Sequence, residues 1–307
     1  MATLNGSQST IKALLASDIS ICFGNPGTSE MHFLAALDQI KGIRCVLGLH
    51  ESIVTGAADG YYRLSGKPAV TLLHLAPGLA NGLSNLHNAK KANSGILNIV
   101  GEHATYHLQY DAPLSGDIEG VARPMSHWVK TSTDVDCVSH DAALAASVAK
   151  EKSGQIATLI LPADVSWLGT DVVAPAVDPV PLKRVEASVI QSIAKTIHQG
   201  KNVVLLLGGV ALRGKALAYA GKIAEKTGCR LISEGQNARI ERGHGRVAVQ
   251  RLPFDVKGAQ ENLKDTQHLI LIGAKLPIAF FAYPNLPSLL IPQTCEVLTL
   301  ATHEDLI

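Results

Sequence analysis

The chain has 307 residues, room for about two domains, and its 27 Lys and Arg against 26 Asp and Glu leave a formal charge of +1. That balance excludes a global field of the kind that draws proteins to nucleic acid or anionic lipid. With 47% apolar residues, 17% charged residues and a mean hydropathy of +0.18, disorder is excluded too, and part of the surface is expected to be covered by other protein.

Aromatic residues are only 4%, so the apolar content is mostly Ala, Val, Ile and Leu, the filling of parallel sheets covered by helices. Short β-branched runs alternate with stretches of helical period. Strands are predicted over residues 19–23, 44–49, 69–75, 96–100, 127–131 and 156–161, with helices over 9–16, 29–40, 52–64, 79–91 and 136–150. Residues 171–185, DVVAPAVDPVPLKRV, hold three prolines and little periodicity, which marks a linker. A second α/β pattern follows: helices over 186–198 and 214–227, and strands over 202–207, 230–233, 268–272 and 296–300. The expected architecture is α/β, two doubly wound parallel-sheet domains at 1–170 and 186–307. The final THEDLI stops just past a strand, at the apparent start of a helix, so the second domain is expected to be truncated.

Five cysteines at 22, 45, 137, 229 and 295 form no CxxC pair, which argues against a zinc knuckle and for a reduced, intracellular chain. The N-terminus lacks a basic start, apolar run and cleavage site, and no apolar stretch reaches ~18 residues. A cytoplasmic protein without a membrane partner is expected.

Three loops stand out because each follows a predicted strand: GNPGT at 24–28, HES at 50–52 and HLAPG at 74–78. Ligands bind beyond the carboxyl ends of strands in open parallel sheets, so the three can face one ligand. Each loop also has an ordinary reading. GNPGT can simply return a strand into a helix with Thr28 as N-cap, Glu51 can be a first-turn carboxylate favoured by the helix dipole, and His74 can be a satisfied structural histidine. Their joint occurrence favours a site. A carboxylate shielded from water at Glu51 suits proton transfer, and Gly56, Ala57, Ala58 and Gly60 behind it let another surface approach closely.

The phrases FGNPGTSE, LHESIVTGAADGYYRLSGKPA and LLHLAPGLANGLSNLHNAKKANSGILNIVGE follow one another between residue 19 and about residue 130. This segment resembles the pyrimidine-binding domain of thiamine diphosphate-dependent enzymes, in the branch of acetolactate synthase and benzoylformate decarboxylase. KNVVLLLGGVALRGKALAYAGKIAEKTGCRLISE, from residue 201, is similar to their Rossmann-like central domain. The resemblance implies that Glu51 is the cofactor-activating glutamate, which hydrogen-bonds the aminopyrimidine ring. It matches Thr28 to a substrate-facing serine and His74 to a proton-transferring histidine of the decarboxylase. It also assigns Pro26, Gly27, Pro77, Gly78 and Asn81 to cofactor contacts. His74 favours decarboxylase chemistry, whereas Phe280 stands about where that enzyme has its second catalytic histidine. The segment HATYHLQYDAPLSGDIEGVARPMSHWVK at 103–130 looks most like acetolactate synthase large subunits.

The family binds Mg²⁺ and the diphosphate through a GDG with a downstream Asn in a third domain, and no GDG occurs here. The expectation is that this domain is absent from residues 1–307 and that a second subunit, in a homodimer or homotetramer, completes the site. FAD, which acetolactate synthases carry on their central domain, is disfavoured because LLLGGVALRG at 205–214 lacks GxGxxG spacing. His103 and His107 have a metal-like spacing only if helical, and a solvated loop is favoured over a metal site there. Three functions remain open: an acetolactate-synthase-like carboligase, a benzoylformate-decarboxylase-like lyase acting on 2-oxo acids, and a non-catalytic structural or regulatory subunit.

Overall fold

The computed structural model describes residues 4–307. The chain divides into a first unit ending at Pro181 and a second unit, Leu182–Ile307. The first unit contains strands β1 (Leu4–Asn5), β2 (Ile21–Asn25), β3 (Arg44–Leu47), β4 (Ala69–Leu73), β5 (Ile96–Glu102), β6 (Trp128–Thr131), β7 (Ile156–Pro162) and β8 (Gly169–Thr170). Its helices are α1 (Gly6–Ala16), α2 (Met31–Gln39), α3 (Glu51–Ser65), α4 (Leu75–Lys91), α5 (Ile118–Ala122), α6 (Val138–Lys150) and α7 (Ala163–Trp167). The second unit holds α8 (Ala187–Gln199), β9 (Val203–Leu207), α9 (Gly214–Thr227), β10 (Arg230–Ser233), β11 (Gln250–Arg251), α10 (Val256–Leu263), β12 (His268–Ile272) and β13 (Glu296–Ala301).

Six parallel strands in the order β3-β2-β4-β5-β7-β6 form the sheet of the first unit. The two-residue period of a strand sends alternate side chains to opposite faces. Val70 and Leu72 of β4 therefore join Ile11, Phe33 and Ala142 of α1, α2 and α6, while Ala69 and Leu73 join Val54 and Leu86 of α3 and α4. Both faces are covered, which is the doubly wound arrangement expected. The second unit repeats it with five parallel strands, β11-β10-β9-β12-β13. Val203, Leu205 and Leu207 face one cluster; Val204 and Leu206 face the other.

Several boundaries differ from the sequence expectation for local reasons. β2 starts at Ile21 rather than at 19 because Ile19 closes α1: its N–H donates to Leu14 O across Asp18, whose φ is 57°. The antiparallel pairing of β1 with β8 and the five-residue α5 and α7 are too short for a periodic signal. α10 lies outside the predicted helices although Asp255 caps it, accepting from Gly258 N at 2.7 Å. The terminal residues expected to open a helix form a turn, in which Thr302 N and Oγ1 both donate to Asp305 Oδ2 at 2.8 Å. No helix among the described residues is long and apolar enough to cross a membrane.

Candidate active site

β3, β2 and β4 are neighbours in the sheet, so the loops at their carboxyl ends open on one rim. The loop after β2 turns through Pro26 and Gly27 into a 3₁₀ turn, Thr28–Glu30. Gly27 is the cap residue, not Thr28 as the ordinary reading of the loop has it. Glu30 reaches back and accepts from Gly27 N at 2.7 Å, satisfying one of the donors that the turn leaves open. The Gly27 amide is thereby engaged inside the protein, and Thr28 remains exposed on the loop.

Glu51 is the first residue of α3, capped by His50, whose Nδ1 accepts from Ser52 N at 3.2 Å. Its side chain is buried, and Asn81 Nδ2 on α4 donates to Oε2 at 3.0 Å. Oε1 takes no hydrogen bond among the described residues and lies above Gly78, where a Cβ would stand 3.1 Å from it. Thr55 Oγ1 donates toward both Glu51 O and Gly82 O, at 3.1 and 3.0 Å, and pins α3 to α4 behind the carboxylate.

His74 follows β4 and caps α4, which starts at Leu75 instead of the expected 79. Pro77 is compatible with that start, since a proline in the first helical turn forfeits no intrahelical donor. Leu75 is buried with φ 53°, a left-handed conformation that costs a non-glycine residue about 1–2 kcal/mol and that the surrounding structure must hold. His74 Nδ1 lies 2.8 Å from Glu30 Oε2, and the His74 ring packs on the bare backbone of Gly27, where a Cβ would overlap it. Burial pushes the Glu30 carboxyl up from the usual range, opposed by the Gly27 amide and His74. Glu30 Oε1 is buried with no hydrogen-bond partner among the described residues.

The structure thus brings Glu51, Gly78 and Asn81 together, and joins His74 to Gly27 through Glu30. Gly78 links the two groups, with His74 Cβ 3.3 Å from the place of its missing Cβ. Pro26 and Pro77 shape the two loops, and Pro77 and Asn81 are exposed at the rim. Sequence reasoning missed Glu30; its signal was a glycine followed three positions later by a glutamate at a strand-to-helix turn. An aminopyrimidine fits these residues, because one buried carboxylate oxygen is held by Asn81 while the other stays available above a glycine.

Elsewhere, His103 and His107 flank and enter a 3₁₀ turn, Thr105–Tyr110, with ring centroids 5.8 Å apart. Among the described residues, no group of three or more His, Cys, Asp or Glu could hold a metal ion. Phe280 lies exposed after β12 against Phe254 and Phe281, at centroid distances of 5.2 and 4.5 Å. In the second unit the strand order reverses between β9 and β12, the crevice where a dinucleotide would bind. Glu234, just past β10, lies beside it, with Oε1 2.6 Å from where a Cβ on Gly208 would stand, and the backbone N–H groups of Lys275 and Gly209 favour its charged form. Burial pushes its carboxyl up to about 7 against the pull of those amides and the Lys275 charge. A carboxylate beside these donors disfavours a diphosphate there.

Residues 4–127 match the family described as "Thiamine pyrophosphate enzyme, N-terminal TPP binding domain". Over 300 residues the chain is 47% identical to the "Putative acetolactate synthase large subunit IlvX" of Mycobacterium tuberculosis, covering 97% of this chain and 57% of that protein. It is 29% identical over 228 residues to the benzoylformate decarboxylase of Pseudomonas aeruginosa, covering 68% of this chain and 40% of the relative. The structure of the Rhodococcus jostii RHA1 thiamine diphosphate-dependent 4-hydroxybenzoylformate decarboxylase matches with a TM-score of 0.85 at 23% identity, over 98% of this chain and 57% of that one. At that identity the likeness is one of fold. The matched part therefore spans between 40% and 57% of the length of these relatives. Residues 4–127, within the first unit, thus carry the sequence of an N-terminal TPP-binding domain of the thiamine pyrophosphate enzymes.

Proposed function

We propose that the chain forms the pyrimidine-binding side of a thiamine diphosphate-dependent enzyme that joins or cleaves carbon–carbon bonds at 2-oxo acids, acetolactate-synthase-like in its chemistry. The observation that carries this reading is the buried Glu51 carboxylate at the start of α3, with Oε2 on Asn81 and Oε1 available. The cofactor, when bound, supplies a thiazolium carbon that adds to the 2-oxo acid carbonyl and takes up the electron pair released with carbon dioxide. Glu51 Oε1 holds or passes the proton at the aminopyrimidine, Asn81 fixes the orientation of the carboxylate, and burial excludes water. Glu30 holds His74 through Nδ1, which leaves Nε2 as the atom that exchanges a proton with substrate. Thr28 presents its hydroxyl from the same rim.

Mg²⁺ and the diphosphate are held, on this reading, by groups outside residues 1–307, in a further domain or a second subunit of a homodimer or homotetramer. The His74–Glu30 pair favours a second reading, a benzoylformate-decarboxylase-like lyase, because it supplies a positioned proton donor. Feeding pyruvate and, separately, benzoylformate to the intact enzyme separates the two. A hydroxyketone from pyruvate is expected; an aldehyde alone selects the lyase, and neither product selects a non-catalytic subunit.

We further propose that no FAD binds, because the Glu234 carboxylate lies beside the crevice. Its raised carboxyl gives a separate expectation. The folded chain keeps a proton that the unfolded chain releases between pH 4.5 and about 7, so stability falls as pH rises through that window. At ~1.4 kcal/mol per unit the loss is at most about 3.5 kcal/mol. Denaturant unfolding at pH 5 and pH 8 is expected to show this decline in the native chain and to show most of it gone in Glu234→Ala. Equal declines in both would remove Glu234 as the cause.

A further inference from the structure

Two of the five cysteines face each other across adjacent strands. Cys22 of β2 and Cys45 of β3 are register partners in a parallel pair, so both side chains leave the same face of the sheet. Cys22 is buried in the core beneath α1 and α2, whereas Cys45 is exposed on β3, the edge strand of the sheet. The Cys22 thiol donates to Phe23 O at 3.8 Å. Neither thiol has a part in the site built around Glu51 and His74.

We propose that Cys22 and Cys45 form a reversible dithiol–disulfide pair that a hydroperoxide oxidises, with Cys45 as the attacking thiol and Cys22 as the thiol that closes the bridge. Neighbouring strands stand about 4.8 Å apart, inside the ~4.4–6.8 Å range of Cα separations that a disulfide spans. No change of register is needed. The roles follow from exposure, since peroxide reaches the edge strand and not the core. In keeping with those roles, the neighbouring Cys22 thiol holds the Cys45 thiol down to about 7, while Cys45 and burial push Cys22 well up. Burial and Asp38 oppose the lowering at Cys45. A lowered thiol supplies more of the thiolate, the form that reacts.

In the first step the Cys45 thiolate attacks one peroxide oxygen. An S–O bond forms, the O–O bond breaks, and the alkoxide or hydroxide leaves and takes a proton from water. Cys45 becomes a sulfenic acid. Cys22 sulfur then attacks that sulfur; the S–S bond forms, the S–O bond breaks, and the departing hydroxide takes the Cys22 proton to become water. Two thiols and one hydroperoxide thus give one disulfide, one alcohol or water molecule, and one further water. A dithiol reductant reverses the step.

The test exposes the full chain under native conditions to one equivalent of hydrogen peroxide, followed by alkylation and tryptic digestion without reduction. Cleavage after Lys12, Lys41, Arg44 and Arg63 puts the two cysteines on separate peptides, 13–41 and 45–63. These peptides are expected to be joined, and to separate on reduction, while Cys137 stays alkylatable. Cys22→Ala is expected to abolish the joined peptide and leave a dimedone-trappable sulfenic acid at Cys45; Cys45→Ser is expected to abolish both. A direct measurement needs no variant: at pH 7 iodoacetamide is expected to modify Cys45 about tenfold faster than the exposed Cys137, whose thiol Asp134 pushes up. Cys45 reacting no faster than Cys137, a lasting sulfenic acid at Cys45 with Cys22 intact, or a bridge to any other cysteine would overturn the proposal.

Discussion

Replacing Glu51 with Gln in the intact enzyme is expected to slow hydrogen–deuterium exchange at C2 of bound thiamine diphosphate by at least about a hundredfold, the usual reach of a positioned acid or base. The variant should keep its fold. His50 still caps α3 through Ser52 N, and a Gln carbonyl still accepts from Asn81 Nδ2. What is lost is the ability of the free oxygen to hold a proton. The unfolding midpoint of the cofactor-free protein should stay within a degree or two of the native one, a readout independent of turnover. An unchanged exchange rate would show that a different acid activates the cofactor. A lowered midpoint with unchanged exchange would reduce Glu51 to a helix-start residue, the ordinary reading of a first-turn carboxylate.

Much of the fold was legible because apolar strands in a parallel sheet are buried on both faces and read as runs, such as ILNIVGE in β5 and IATLILP in β7. Gly and Pro punctuation placed the loops that follow β2 and β4. What could not be read depends on contacts between segments distant in sequence. The start of α4 at Leu75 requires a left-handed Leu, a conformation that no local pattern favours. That early start seats Gly78 between Glu51 and His74; a helix beginning at 79 would leave the two side chains unrelated. Glu30 escaped notice for the same reason, since 44 residues separate it from the histidine it holds. Glu234 is similar: a charged residue past a strand gives no sign that two backbone amides from other loops favour its charged form. The Cys22–Cys45 pairing is invisible to a search for CxxC, because it arises from strand register.

Gly101→Ala is expected to destabilise the first unit by about 1–3 kcal/mol, the range for a group forced into a filled core, and to impair any step that uses His74. Gly101 lies on β5, whose residues are all buried, one position beyond the point where β4 ends, since Leu73 is the last β4 partner and pairs with Val100. The space that β4 vacates there is taken by the Glu30 carboxylate, and a Cβ on Gly101 would overlap Glu30 Oε1. Glu30 has little freedom to retreat, because its other oxygen is held at 2.7 Å by Gly27 N and at 2.8 Å by His74 Nδ1. The collision predicts a specific non-additivity. In Glu30→Ala/Gly101→Ala the new methyl group occupies room that the carboxylate has left, so the double variant should be more stable than the sum of the single variants by at least about 1 kcal/mol. Its kcat should nevertheless stay low, because His74 has lost the acceptor that orients Nδ1. Additive stabilities would mean that the carboxylate yields to the methyl group easily, and full recovery of kcat would mean that Glu30 fills space without positioning the histidine.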